Sequence, residues 1–241
     1  SLCCMVLLRR FGIRSLLVMG LGILFFGEVL KGLAMWAGDG QRPGLLGTLL
    51  VTGGAVSKDI YVLYPMIPWL AYMILGWACG KRMLRKDAFN PVRFFTMVGA
   101  LSLIAFFIIR GFIKYGNMLL YRYDNSILQW LHVSKYPPSL TFSALELGLM
   151  FLILAFLFAW YRSRHASAAN PLQVFGRAPL FFYVIHVHLL AAAAWVLNLY
   201  RAFGLLETYI DTVVALMVLY PLCRWYGRFK KARPKSLLRY L

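Results

Sequence analysis

Acid is what this sequence has least of. Eight Asp and Glu stand against 26 Lys and Arg, and charged residues of both signs make up only 14% of the 241 positions. A soluble globular domain carries more charge than this, so that class is set aside. Cysteine is also sparse. Cys3, Cys4, Cys79 and Cys223 form no C-x-x-C pair and no regular framework, which argues against zinc and against a disulfide scaffold. Cys3-Cys4 reads as two small apolar residues before it reads as an acylation site. No internal repeat is visible, and nothing at the N-terminus resembles a secretory signal peptide. Because the chain opens on Ser within the apolar run SLCCMVLL, an N-terminally incomplete sequence is expected.

What is abundant is apolar surface. Hydrophobic residues account for 61% of the chain, aromatics for 16%, and mean hydropathy is +0.71. Apolar stretches of about 20 residues recur, the length that crosses a hydrocarbon core as a helix. The expected fold is all-α, a multi-pass transmembrane bundle. Six spans are expected, over Phe11–Leu33, Tyr61–Gly80, Phe94–Phe112, Ser139–Tyr161, Pro179–Tyr200 and Tyr209–Tyr226. Residues 1–226 form the bundle in this reading, and residues 227–241 form a basic tail.

A net charge of +18 raises nucleic acid as a partner. No folded basic domain is visible, and basic loops serve membrane topology instead. With the spans above, 18 of the 26 Lys and Arg fall on one side and eight on the other. The richer side, which includes the C-terminus, is expected to be cytoplasmic. The segments YPMIPW and SKYPPS then lie at the outer face.

Several polar residues fall inside the apolar stretches. In FFYVIHVHLL, His186 sits about 10 Å from the inner boundary at ~1.5 Å per residue, and His188 is turned about 200° away from it. The pair therefore cannot make a one-face metal site. A neutral imidazole there can accept and donate a proton, or simply bond a neighbouring helix. Glu28, Arg110 and Glu146 fall in the outer halves of their spans. Glu28 and Glu146 are expected to face the bundle interior, with Arg110, Lys31 or Lys114 as partners. An ion pair that holds helices together and a substrate site both remain open.

At the outer face, Pro65 and Pro68 suit a helix start. Tyr61, Tyr64, Trp69 and Tyr72 make either an interfacial belt or a platform for a sugar ring. Lys135 and Tyr136 project near the same opening, and Pro137-Pro138 gives a stiff entry to the next helix. The segment from Ile113 to Val133 is expected as an interfacial amphipathic helix over that opening. At the inner face, Lys81, Arg82, Arg85, Lys86, Arg162, Arg164 and Arg177 follow from the positive-inside rule. Arg177 is singled out, since it lies between Gly176 and Pro179 at a helix start that suits anions.

Three motifs in order, VLYPMIPWLAYMILGWACG, LHVSKYPPSL and VFGRAPLFFYVIHVHLL, resemble the bacterial relatives of heparan-α-glucosaminide N-acetyltransferase. The likeness is clearest from Tyr61 to about Leu190. It implies a membrane acyltransferase that takes an acetyl group, or another small acyl group, from cytoplasmic acetyl-CoA to a sugar or glycan at the outer face. It also implies an essential histidine near the first spans of a complete member, upstream of this chain. Within the chain, the expected polar pathway runs from Arg177 past His186 towards Glu28 and Glu146. Arg82 and Arg85 join Arg177 as cofactor-binding candidates. Tyr64, Trp69, Lys135, Tyr136 and Arg110 are the acceptor-binding candidates. The bilayer, acyl-CoA and a glycan are the expected partners, in a bacterial inner membrane, and a homodimer is left open. A transporter or flippase, and a non-catalytic membrane subunit, are the alternative readings.

Overall fold

The computed structural model describes residues 2–40, 42–85, 89–112, 114–163, 170–196, 204–233 and 236. The chain divides into two compact units, Ser1–Ser163 and Arg164–Leu241, and each is described by itself. The division falls inside the expected 1–226 bundle.

The first unit opens with helix α1 (Leu2–Leu8), α2 (Ile13–Phe25) and α3 (Gly27–Trp36). A short helix α4 (Leu45–Gly47) runs into a π-turn over Thr48–Thr52. A two-residue antiparallel hairpin follows, β1 (Gly54–Ala55) with β2 (Tyr61–Val62). Then come α5 (Met66–Met83), α6 (Pro91–Gly111), the short α7 (Ile127–Leu131) and α8 (Leu140–Ser163).

The packing follows helical periodicity. Leu16, Gly20 and Leu24 recur every four residues on α2 and form one buried stripe. They face Leu70, Ile74 and Ala78, with Ala71 and Leu75, on α5. A Cβ at Gly20 would come within 2.8 Å of the Leu75 side chain, so glycine lets these two helices approach closely. A second core joins α6 to α8. Phe95 stacks on Phe151 and Phe158, at 5.7 and 5.6 Å between ring centroids. Leu147 of α8 packs against both cores and ties them together.

The distribution of polarity is inverted relative to a soluble protein. Ser139, Thr141, Ser143, Asn117 and Arg110 are buried, while Met97, Leu101, Ile104, Phe107 and Ile108 are exposed along α6. Such a surface suits lipid and not water.

Among the described residues, four helices are long and apolar enough to cross a membrane: α6, α8, and two in the second unit, α10 (Pro179–Val196) and α11 (Leu205–Ala232). A fifth counts if α2 and α3 form one span, since they are bent by 57° at Phe26. The expected span at Tyr61–Gly80 is altered. Tyr61–Val62 is hairpin strand, and the helix from Met66 meets Lys81 and Arg82 before its apolar length reaches the ~17–25 residues of a typical span. Helix α5 has six buried positions, all on the side that faces the rest of the first unit.

The second unit contains α9 (Pro171–Gly176), α10 and α11. Asn170 caps α9, its side chain accepting from the Leu172 amide at 3.0 Å. Phe181 stacks on Tyr226 at 4.2 Å, which joins α10 to α11. Helix α11 runs unbroken through Tyr226 to Ala232, so the start of the expected basic tail is helical. The last expected residues of the fifth span, 197–200, and Arg201, Lys86 and Arg164 lie outside the described residues, as does the side chain of Arg162.

Candidate functional site

The segments YPMIPW and SKYPPS meet in space. Pro65 caps α5 with extended backbone, and Pro68 lies in its first turn, where the missing amide hydrogens have no helical acceptor to lose. This start turns Tyr64 and Trp69 towards each other at 5.1 Å. Tyr136 arrives from the loop before α8, 5.8 Å from Tyr64 and 6.4 Å from Trp69. Tyr72 extends the group, 5.5 Å from Trp69, with its hydroxyl 2.6 Å from Ser143 Oγ. Tyr136 donates a long hydrogen bond of 3.4 Å to the Tyr64 hydroxyl, and Lys135 Nζ lies 5.4 Å from the Tyr136 ring centre. The Tyr64 hydroxyl draws the Tyr136 phenol below its ordinary value. Partial desolvation opposes this, and the charge of Lys135 adds to it. Trp69 Nε1 is buried and lacks a hydrogen-bond partner among the described residues, an unmet donor inside the aromatic group.

Beside these rings opens a cavity of about 220 Å³, lined among others by Lys31, Thr52, Gly53, Gly54, Tyr61 and Tyr136. It is smaller than the ~300–1,000 Å³ of drug-sized ligand sites, so it suits one small ring. Its back wall depends on two glycines. Gly53 has φ +66°, and a Cβ there would meet the Val62 carbonyl oxygen at 2.8 Å. Gly54 has φ +110° with open space where a side chain would stand. These two glycines were not among the sequence candidates, although the Gly-Gly dipeptide is a turn signal.

Arg110 takes a different place from the one expected. It is 1% exposed. Nη1 donates to Asn117 Oδ1 at 2.7 Å and to the Leu120 carbonyl at 2.8 Å. Nη2 donates to the carbonyls of Gln129 at 2.6 Å and His132 at 2.7 Å. Both terminal nitrogens are thus engaged in holding the segment between α6 and α8. The expected partnership with Glu28 or Glu146 is replaced by a set of neutral oxygens. The same geometry accounts for the missing amphipathic helix over Ile113–Val133. Carbonyls that a helix would use internally are turned towards Arg110. Gly116, Met118 and Leu119 adopt positive φ, and among the described residues of this segment only Ile127–Leu131 is helical.

Glu28 is half-buried and accepts a hydrogen bond from the Gly116 amide. Lys31, one turn on, reaches the Met118 carbonyl at 3.5 Å. Tyr115 donates to the Phe25 carbonyl at the bend between α2 and α3. Glu146 is exposed on α8, contrary to the expected inward position, because the buried side of α8 at this level is made by Ser143, Leu147 and Gly148.

The basic candidates are distributed over both units. Lys81 bends back to the carbonyls of Arg9 and Phe11, at 2.6 and 2.8 Å, so residues 9–11 and 81 share one end of the first unit. Arg82 lies over the Phe89 ring at 4.9 Å, and Arg85 is exposed. In the second unit, exposed Arg177 donates to Gln173 Oε1 at 2.9 Å. His186 stacks on Phe182, and its Nδ1 lies 3.1 Å from the Phe182 carbonyl. His188 Nδ1 lies 2.8 Å from the Val184 carbonyl. A carbonyl only accepts, so Nδ1 carries the hydrogen in each neutral ring. Nε2 then holds the lone pair that a base needs.

Fold and composition together define the class: an integral membrane protein built of α-helices. No protein-family profile, curated protein or solved structure matches the chain.

Proposed function

We propose that the chain belongs to an integral membrane acyltransferase that moves an acetyl or other small acyl group from cytoplasmic acyl-CoA to a sugar or glycan at the outer face. The observation that carries this reading is the convergence of Tyr64, Trp69 and Tyr136 beside the Lys31-lined cavity. Aromatic faces next to a small polar cavity suit a sugar ring, whose C–H faces are apolar and whose hydroxyls need donors and acceptors. The buried Trp69 Nε1–H is one donor available to such a ring.

The reading has six crossings, with α5 as a short one and α2–α3 as a bent one. It places Lys81, Arg82, Arg85, Arg177 and the C-terminus on the cytoplasmic side of a bacterial inner membrane, following the distribution of Lys and Arg. Anionic acyl-CoA meets that side, with Arg82 and Arg85 of the first unit and, separately, Arg177 of the second as candidate partners. In the transfer, the thioester C–S bond breaks and an acyl–N or acyl–O bond forms at the acceptor. The acceptor's proton leaves through a base and the CoA thiol is released. Glu146 is the candidate base within the first unit, Glu28 being assigned first to the Gly116 amide, and His186 Nε2 is a separate candidate in the second unit.

The bend at Phe26 favours a second reading, a transporter, since broken helices line transport sites. Acceptor saturation curves of the complete gene product separate the two. Trp69→Ala and Tyr136→Ala should each raise the acceptor KM about tenfold and leave the acyl-CoA KM unchanged. Unchanged acceptor KM in both variants overturns the assignment of the sugar site.

A further inference from the structure

One side of α5 is not covered by the first unit. Met73, Gly76, Trp77, Gly80 and Lys81 recur at helical spacing and, with Met5 of α1, line a groove of about 420 Å³. Gly76 and Gly80 have nothing within 4 Å of where a Cβ would stand, so the groove floor is the bare helix. Its walls are apolar except at one end. There Lys81 binds the carbonyls of Arg9 and Phe11, and Arg9, Arg10 and Arg14 are exposed. Residues 1–27 and 60–86 contain no Asp or Glu.

We infer that this groove binds an anionic phospholipid, with one acyl chain along Gly76 and Gly80 and its phosphate on Arg9, Arg10 and Lys81. The chain replaces contacts that a bare glycine floor leaves unmade. The phosphate neutralises a cluster of cations that otherwise repel one another, and each cation near an anionic headgroup strengthens binding several-fold. A second copy of the protein is the competing occupant, because a Gly-x-x-x-Gly stripe also packs helices. Two-fold pairing through this stripe would bring the two Arg9–Arg10–Lys81 ends to the same membrane level, where like charges oppose it. The inference is independent of the acyl-transfer reading.

The test is photo-crosslinking of the full chain in phosphatidylcholine nanodiscs. The probes are phosphatidylglycerol or phosphatidylcholine carrying a diazirine on the acyl chain, and mass spectrometry locates the labelled peptides. The phosphatidylglycerol probe should label peptides holding Met5, Met73 or Trp77 about tenfold more than the phosphatidylcholine probe. R9Q/R10Q should abolish that preference. G76L/G80L fills the groove without displacing a neighbour, so it should keep the wild-type melting curve and lose labelling by both probes. Equal labelling by the two probes, or labelling that survives G76L/G80L, overturns the inference. So does a disulfide between Gly80→Cys residues of two copies, which would put a second copy in the groove.

Discussion

Arg110 Nη1 donates to Asn117 Oδ1 at 2.7 Å, and neither side chain reaches solvent. This contact, with three backbone carbonyls on the same guanidinium, holds the segment linking α6 to α8 and so fixes where Tyr136 stands. Removing the guanidinium strands the buried Asn117 oxygen and three part-buried carbonyls. Arg110→Gln should destabilise the protein by about 3–5 kcal/mol, and Asn117→Ala by about 1–3 kcal/mol. The double variant should fall short of the sum, because the two residues belong to one network. Thermal unfolding in detergent reads all three. An Arg110→Gln variant with wild-type stability would contradict the assignment.

Gly99 of α6 and Gly148 of α8 make a reciprocal contact. A Cβ at Gly99 would lie 3.0 Å from the Gly148 carbonyl oxygen, and a Cβ at Gly148 would lie 3.3 Å from the Gly99 carbonyl oxygen. Leucine side chains can turn aside, but the two backbones cannot both stay in place. Gly99→Ala should therefore cost about 1–3 kcal/mol, and Gly99→Val more, when unfolding is followed by circular dichroism. Gly76→Ala on the open side of α5 is the control, and it should be neutral or slightly stabilising.

Tyr115 lies outside the spans. Its phenol is pushed above the ordinary value, first by burial and then by the negative charge of Glu28. A raised folded-state value means that the contribution is fully present below the ordinary tyrosine value near 10. It is lost as pH rises through the raised value. The clasp from Tyr115 to the Phe25 carbonyl should therefore persist at pH 9 and weaken in more alkaline buffer. Tyr115→Phe should flatten that part of the stability profile. Glu28→Gln should lower the phenol's value, seen in the tyrosinate absorbance difference from Tyr115→Phe, and should still accept from the Gly116 amide. Glu28→Ala should lose that bond and about 1 kcal/mol or more.

The long apolar helices were legible because their runs of about 20 residues match a membrane crossing, whereas the buried stripe of Leu16, Gly20 and Leu24 was not singled out. The meeting of the two proline motifs was legible because both were expected at one face. The bend at Phe26 was not. Its contacts come from Tyr115 and Gly116, far along the chain, and Gly27, the local breaker beside it, was not weighed. The expected span at Tyr61–Gly80 already ended before Lys81, but it began too early, because Tyr61–Val62 pairs as a strand and the helix starts only at Met66. The Ile113–Val133 segment looked amphipathic because local pattern cannot show a side chain such as Arg110 drawing carbonyls out of a helix. Glu146 was expected inside on cost alone, yet the inner side of α8 is supplied by smaller and apolar residues.

Acyl transfer across a sealed membrane tests the central claim most directly. The complete gene product is reconstituted in liposomes with labelled acetyl-CoA on one side and an amino sugar or glycan on the other. The account predicts acylated sugar formed only when acyl-CoA faces the Lys81 and Arg82 side and the acceptor faces the Tyr64, Trp69 and Tyr136 side. Unmodified sugar crossing the membrane without acyl-CoA, with no acylated product, would contradict it.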